Sequence, residues 1–134
     1  MLHTSILLAD DDIEDQELLK ESLLEQEPVA MIDVVWNGQE VLTYLNECPA
    51  NSLPQLLILD YQMPILTAVE VLDRLRQNAR YDEICKVVWS TSTQPEHIKQ
   101  CLENGALRYF PKPNNEDELH TLTSIMLSLC RITG

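Results

Sequence analysis

The 134-residue sequence lacks several features that mark common classes of protein. It has no apolar run close to the roughly 20 residues of a membrane-spanning helix, and no basic stretch followed by an apolar segment at its start. Only 9 residues are Lys or Arg against 22 that are Asp or Glu, giving a formal net charge of -13. Nucleic-acid surfaces need clustered Lys and Arg. We therefore expect a cytoplasmic protein that contacts neither membrane nor nucleic acid directly.

The sequence also lacks paired cysteines. Its four cysteines are Cys48, Cys85, Cys101 and Cys130, and none forms a C-x-x-C pair. This spacing favours neither a zinc site nor a redox pair, so we expect small side chains that pack in or near the core. A chain of this length is long enough for one sizeable core, and no linker or low-complexity tract divides it.

What the sequence does contain is an alternation of two kinds of segment. Short apolar segments bounded by Pro, Gly, Asn or Asp are typical of strands: SILLA, MIDVVW, QLLILD, KVVWS and LRYF. Longer segments of helical period separate them. Five such strand and helix pairs predict an α/β fold with a parallel sheet that is covered on both faces.

Two of the predicted helices carry boundary signals. Thr67 followed three residues later by Glu70 predicts a capping box, so the third helix should begin at Ala68. Its buried face is predicted to hold Ala68, Val71, Leu72, Leu75 and Ala79. Gly105 lies where a glycine often ends a helix.

Polar side chains follow several of the predicted strands. They are Asp10, Asp11 and Asp12 after the first strand, Asp60 at the end of the third, Ser90 and Thr91 at the end of the fourth, and Lys112 after the fifth. In open α/β sheets, ligands collect at the carboxyl ends of the strands. The sequence therefore predicts one site that draws on four strands.

The chemistry of this predicted site follows from its acids. Neighbouring carboxylates such as Asp10, Asp11 and Asp60 repel one another until a proton or cation relieves them. Oxygen ligands without His or Cys favour Mg²⁺ or Mn²⁺, and Mg²⁺ commonly shares its ligands with a phosphate. Lys112 and Ser90 would contact that phosphate. Asp60 ends the most apolar strand and is the candidate nucleophile for an acyl phosphate.

Four stretches resemble the receiver domain of bacterial two-component response regulators: ILLADD, LLILDYQMP, VVWSTS and GALRYFPKP. They are spread over almost the whole chain. The resemblance implies a flavodoxin-like (βα)5 fold with strand order 2-1-3-4-5. It also implies a single receiver domain over residues 1–134 with no output domain.

The resemblance assigns roles to individual residues. It implies that Asp60 is the phosphoacceptor and that Mg²⁺ (or Mn²⁺) is held by Asp10, Asp11, Asp60 and the backbone carbonyl of Gln62. It also implies that Ser90 senses the phosphoryl group, that the Tyr109 rotamer follows Ser90, and that Lys112 pairs with the phosphate. It further implies a cis peptide bond between Lys112 and Pro113.

The implied function is that of a signalling switch, not of a metabolic enzyme. A sensor histidine kinase or a phosphotransfer protein would supply the phosphoryl group. The face made by the fourth helix, fifth strand and fifth helix would then bind an unknown downstream protein, and a homodimer is possible. We expect His3, His97 and His120 to be incidental surface residues, since the donor histidine belongs to another protein.

Two alternatives stay open at this point. In an aspartate-nucleophile phosphatase, Asp10 would attack and Asp12 would act as acid and base, although Asp12 also fits the cap of the first helix. In a pseudo-receiver, the same fold would dock a partner without phosphorylation. Its support is that Thr67 and Ala68 replace the usual Asp/Asn-Gly pair and that the bulky Trp89 precedes Ser90.

Overall fold

The computed structural model describes residues 4–133, which form a five-stranded sheet with helices on both faces. The strands are β1 Ser5–Ala9, β2 Met31–Val35, β3 Leu56–Asp60, β4 Cys85–Ser90 and β5 Arg108–Pro111. The α-helices are α1 Ile13–Gln26, α2 Gly38–Glu47, α3 Ala68–Arg76, α4 Pro95–Glu103 and α5 Glu116–Thr133. Short 3-10 turns occupy Ala50–Ser52 and Ala79–Tyr81.

The sheet is parallel throughout, and its strand order is β2-β1-β3-β4-β5. This order confirms the flavodoxin-like α/β fold. The order reverses between β1 and β3, because the chain builds outward first on one side of β1 and then on the other. The carboxyl ends of these two strands therefore flank the crevice in which such folds bind ligands.

Each face of the sheet packs against its own set of helices. Alternate side chains of the strands point to opposite faces, so Leu57 and Leu59 join a core with α2, α3 and α4, while Leu56 and Ile58 join one with α1 and α5. All five residues of β3 are buried. This explains why the central strand carries no polar residue before Asp60.

Local signals set the helix boundaries. Thr67 and Glu70 form the reciprocal capping box, and α3 begins at Ala68 as predicted. Gly105 follows α4 with a φ of 108°, a left-handed conformation that glycine adopts without strain. The prediction that Ala79 continues the buried face of α3 was wrong. The helix ends at Arg76 because the Asn78 side chain accepts from the Arg80 N–H and starts a separate turn.

The loop between β3 and α3 holds an unexpected conformation. The sequence suggests that this loop has lost access to positive φ, since Thr67 and Ala68 stand where glycine is common in the family. In the structure, Ile65 adopts a φ of 72° instead, and its side chain is 71% exposed. A β-branched residue is strained in this region. The loop thus keeps a left-handed residue, three positions before Ala68, which stands at the place of the family's glycine.

Candidate functional site

The carboxyl ends of the strands meet in an acidic cleft of about 400 Å³. Its lining residues include Asp11, Asp15, Asp60, Gln62, Ser90 and Lys112. The β1 strand delivers Asp10 and Asp11, β3 delivers Asp60, and β4 delivers Ser90. The site predicted from the strand ends is therefore assembled in one place.

Three carboxylates form the centre of the cleft. One carboxylate oxygen each from Asp10, Asp11 and Asp60 lies within 4.8 Å of the other two. Asp10 is fully buried and Asp60 is 7% exposed, whereas Asp11 is exposed and faces the opening. Oxygen donors this close fit a hard divalent cation such as Mg²⁺ or Mn²⁺. The structure thus brings together the three carboxylates that the sequence predicts as metal ligands.

The pKa values of the buried acids reflect this crowding. Burial, and after it the negative charge of Asp10, raises the pKa of Asp60 from 3.8 to about 7. Burial also raises the pKa of Asp10, although the Asp12 backbone N–H donates to its carboxylate at 2.9 Å. Both carboxylates therefore hold their charge at a cost, which a bound cation would relieve.

Lys112 lies among these acids as a compact positive charge. Its Nζ donates to Asp10 at 3.0 Å and to Asp15 at 2.7 Å, and it lies 3.6 Å from an oxygen of Asp60. Burial by itself would lower the pKa of Lys112, but the carboxylates of Asp15, Asp60 and Asp10 outweigh it and raise that pKa. Lys112 is therefore a permanent cation beside the candidate phosphoacceptor.

The backbone reaches this arrangement without a cis peptide bond. No cis bond occurs in residues 4–133, so the predicted cis bond between Lys112 and Pro113 was wrong. The Lys112 N–H donates to the Ser90 carbonyl at 2.7 Å, which continues the pairing of β5 with β4 past Pro111. This bond holds the lysine backbone in line with the strand and lets its side chain reach the acids.

Ser90 and Tyr109 both lie on the β4 side of the cleft. Ser90 is buried, with 2% of its surface exposed. Its hydroxyl accepts from the Ser92 N–H at 3.0 Å. Tyr109 is half-buried and points inward, with its hydroxyl donating to the Ser92 carbonyl at 2.8 Å. The two residues that the resemblance links to phosphoryl sensing are thus joined through Ser92.

Two neighbours of the site escaped the sequence analysis. Asp15, in the first turn of α1, accepts from Lys112 at 2.7 Å, and its sequence neighbourhood gives no signal of this contact with a residue 97 positions away. His97 was expected to be an incidental surface residue, and that was wrong. It stacks on Tyr61 and hydrogen-bonds Ser92. His120 is exposed, and His3 lies outside the described residues.

Asp12 has a structural role in the fold. Its side chain accepts from the Asp15 N–H at 3.0 Å and caps α1, as predicted. Asp10 is fully buried, and its two oxygens already accept from Asp12 and Lys112. Asp12, the acid and base of the phosphatase alternative, thus serves as the helix cap, and both oxygens of Asp10 have a hydrogen-bond donor.

The four cysteines lie within residues 4–133 and form no disulfide bond there, and three of them are buried. Within residues 4–133, every helix is too short or too polar to cross a bilayer.

The strand order, the strand-end acids and the lysine define the class as an open α/β domain with a charged cleft at the carboxyl edge of a parallel sheet. Comparison with known proteins identifies the family. The family described as "Response regulator receiver domain" matches residues 6–124. The chain belongs to this family. Receiver domains are phosphorylated, bind Mg²⁺ at an acidic pocket and generally take phosphoryl groups from histidine kinases or phosphotransfer proteins.

Individual relatives agree with the family match. Two-component response regulator ARR9 of Arabidopsis thaliana is 27% identical over 91% of this chain, which spans 58% of the ARR9 length. The phosphorylated cyanobacterial phytochrome response regulator RcpA is 26% identical, with a TM-score of 0.87 over 99% of this chain and 97% of its own. The Mn²⁺-bound form of response regulator Rcp1 is 26% identical, with a TM-score of 0.80 over 93% and 92%.

Proposed function

We propose that this chain is a phosphorylated receiver in which Asp60 accepts a phosphoryl group from a phosphohistidine on a sensor histidine kinase or a phosphotransfer protein. A carboxylate oxygen of Asp60 would bond to phosphorus as the phosphorus–nitrogen bond breaks, and the departing imidazole nitrogen keeps the electron pair and takes a proton. The observation that carries the proposal is the placing of three carboxylates and Lys112 around one cleft.

Each residue has a part that its position supports. Asp10, Asp11, Asp60 and the Gln62 carbonyl would hold Mg²⁺ or Mn²⁺, which supplies positive charge to the oxygens of the transferring group. Lys112 lies 3.6 Å from Asp60 and would pair with the phosphoryl oxygens. Ser90 would donate its hydroxyl to one of them.

Phosphorylation would then act by shifting a population of conformations. The Ser90 hydroxyl accepts from the Ser92 N–H, and the Ser92 carbonyl accepts from Tyr109, so a movement of Ser90 is passed along this backbone. We propose that the face of α4, β5 and α5 responds and binds a downstream protein. In this reading the chain is a switch and not an enzyme that turns over a metabolite.

Phosphoryl incorporation from acetyl phosphate with Mg²⁺ tests the assignment of Asp60. The wild-type chain should gain one phosphoryl group, seen by intact mass, and Asp60→Asn should gain none. Asp33→Asn is the matched control, since Asp33 is an exposed acid on β2 outside the cleft. Equal incorporation by Asp60→Asn would overturn the assignment, and label on Asp10 would favour the phosphatase.

The same experiment distinguishes the pseudo-receiver alternative. A pseudo-receiver would bind its partner without incorporating phosphate, so the wild-type chain would stay unlabelled even with a folded site and excess Mg²⁺. Incorporation that needs Asp60, Mg²⁺ and Lys112 together would exclude it. Lys112→Met, which keeps most of the length of the side chain and removes its charge, provides that last comparison.

A further inference from the structure

His97 occupies a position that the receiver chemistry does not explain. It lies in the first turn of α4, and its half-buried ring stacks on Tyr61 with centroids 4.3 Å apart and planes 17° apart. Tyr61 directly follows Asp60 in the sequence. His97 therefore contacts the side chain of the residue next to the candidate phosphoacceptor.

The same imidazole also contacts Ser92, two residues after Ser90. Its Nδ1 lies 2.7 Å from the Ser92 hydroxyl oxygen, a short hydrogen bond. Both Tyr109 and Ser90 hydrogen-bond the backbone of Ser92. The Ser92 carbonyl accepts from the Tyr109 hydroxyl at 2.8 Å, and the Ser92 N–H donates to the Ser90 hydroxyl at 3.0 Å. The position of Ser92 thus sets where the Tyr109 hydroxyl finds its acceptor.

These contacts form a closed cluster of side chains. The Tyr61 ring also lies 6.3 Å from the Tyr109 ring at an angle of 57°, a tilted arrangement that aromatic pairs favour. His97 joins Tyr61 on one side to Ser92 on the other, and both in turn contact Tyr109. Loss of His97 would remove the contact that joins the Ser92 side chain to the Tyr61 ring, while the Gln94 N–H would still donate to the Ser92 hydroxyl at 3.4 Å.

We propose that His97 is a positioning residue that holds Ser92 where it accepts from Tyr109, and thereby biases Tyr109 toward its inward position. The inference deepens the proposed function, since it names a residue that sets the resting balance of the switch. It does not involve His97 in phosphoryl transfer, because within residues 4–133 its side chain contacts Tyr61 and Ser92 and not the carboxylates or Lys112.

Paired substitutions separate the two contacts of His97. His97→Asn keeps a polar atom near the place of Nδ1 and loses the ring, whereas His97→Phe keeps a ring for Tyr61 and loses the hydrogen bond. Exposed His120→Phe is the matched control. The readout is nuclear Overhauser contact between the Tyr109 ring and Ser92 in the full chain without phosphate, with circular dichroism to show that each variant is folded.

We expect His97→Phe to lower the ratio of inward to outward Tyr109 by about fivefold, the factor expected for one lost hydrogen bond. His97→Asn should keep most of the wild-type ratio of inward to outward Tyr109, and His120→Phe should leave that ratio unchanged. A purely structural role would lower the melting temperature and leave Tyr109 inward. An inward Tyr109 in folded His97→Phe would overturn the inference.

A second pair of variants keeps the test decisive if His97→Phe does not fold. Ser92→Ala removes the same hydrogen bond from the other partner and should lower the same ratio by a similar factor. Combining Ser92→Ala with His97→Leu, which also lacks this hydrogen bond, should add nothing further, since the bond is already lost in each single variant. Independent, multiplying effects would contradict the proposal.

Phosphoryl incorporation distinguishes this inference from the proposed function. If the wild-type chain takes no phosphoryl group while Tyr109 still moves in His97→Phe, the proposed function fails and the positioning role stands. If the wild-type chain is labelled while Tyr109 stays inward in His97→Phe, only the positioning role fails.

Discussion

Replacing Asp60 with asparagine should stabilise the metal-free protein at neutral and alkaline pH. Asparagine resembles the neutral form of the acid, so the variant removes the free energy that ionisation of Asp60 costs the folded state. The pKa of Asp60 is about 7 in the folded protein against an ordinary value of 3.8, a difference of about three pKa units. Each pKa unit corresponds to about 1.36 kcal/mol. The free energy of unfolding of the variant should therefore exceed that of the wild-type protein by about 4 kcal/mol at pH 8.

The pH dependence of this gain is set by the direction of the pKa change. A carboxyl group whose folded pKa is raised holds its proton in the folded state between pH 4 and 7, while the unfolded chain has already lost it. Stability of the wild-type protein therefore falls as the pH rises through this window. The advantage of Asp60→Asn should be near zero at pH 4, grow from pH 4 to 7 and stay constant above.

Urea unfolding followed by circular dichroism, in EDTA at pH 4, 6 and 8, measures the gain. Glu83→Gln is the control, since Glu83 is an exposed acid at the opposite edge of the sheet. Added Mg²⁺ should stabilise the wild-type protein at pH 8 and Asp60→Asn much less, because the variant lacks one ligand. A variant that is no more stable than wild type at pH 8, or equally favoured at pH 4 and 8, would refute the reasoning.

Three further substitutions test the packing around the site by the same urea unfolding at pH 7. Gly38→Ala should lower the free energy of unfolding by about 1 to 3 kcal/mol, because a Cβ there would lie 2.5 Å from the Leu66 carbonyl oxygen. An unchanged urea midpoint would contradict this close approach. Ile65→Asn should gain about 1 kcal/mol, because asparagine tolerates the φ of 72° and no buried side chain is lost; a loss of stability would show that Ile65 is not strained. Thr123→Val should cost about 1 to 3 kcal/mol, because it leaves the buried Ser22 hydroxyl without its partner at 2.7 Å, and a neutral result would mean that water replaces it.

The fold and most of the site were predictable because each rests on short-range patterns. The all-apolar run of residues 56–59 has the length and composition of a strand buried on both faces, and the helical period between strands favours a parallel sheet. Once the strands are parallel, Asp10, Asp60 and Ser90 must share one edge. Fold and strand-end residues therefore follow from the same pattern.

What escaped prediction depends on how loops travel in three dimensions. The contacts of His97 depend on the path of residues 91–94, which turns the first turn of α4 back toward Tyr61 and Ser92. The turn at Ile65 is equally hidden, since isoleucine gives no sign of a left-handed conformation. Backbone strain and contacts between loops have no local signature in the sequence.

The position of Lys112 gives the chain a spectroscopic property of its own. Its Nζ lies 4.8 Å from the centre of the Trp89 ring, and Trp89 is 2% exposed, whereas Trp36 is 44% exposed. A cation beside an indole alters its emission, and a soluble quencher such as iodide reaches only an exposed ring. With Trp36 quenched, the remaining fluorescence belongs to Trp89, so the unlabelled protein reports any movement of Lys112 away from its resting place among the acids.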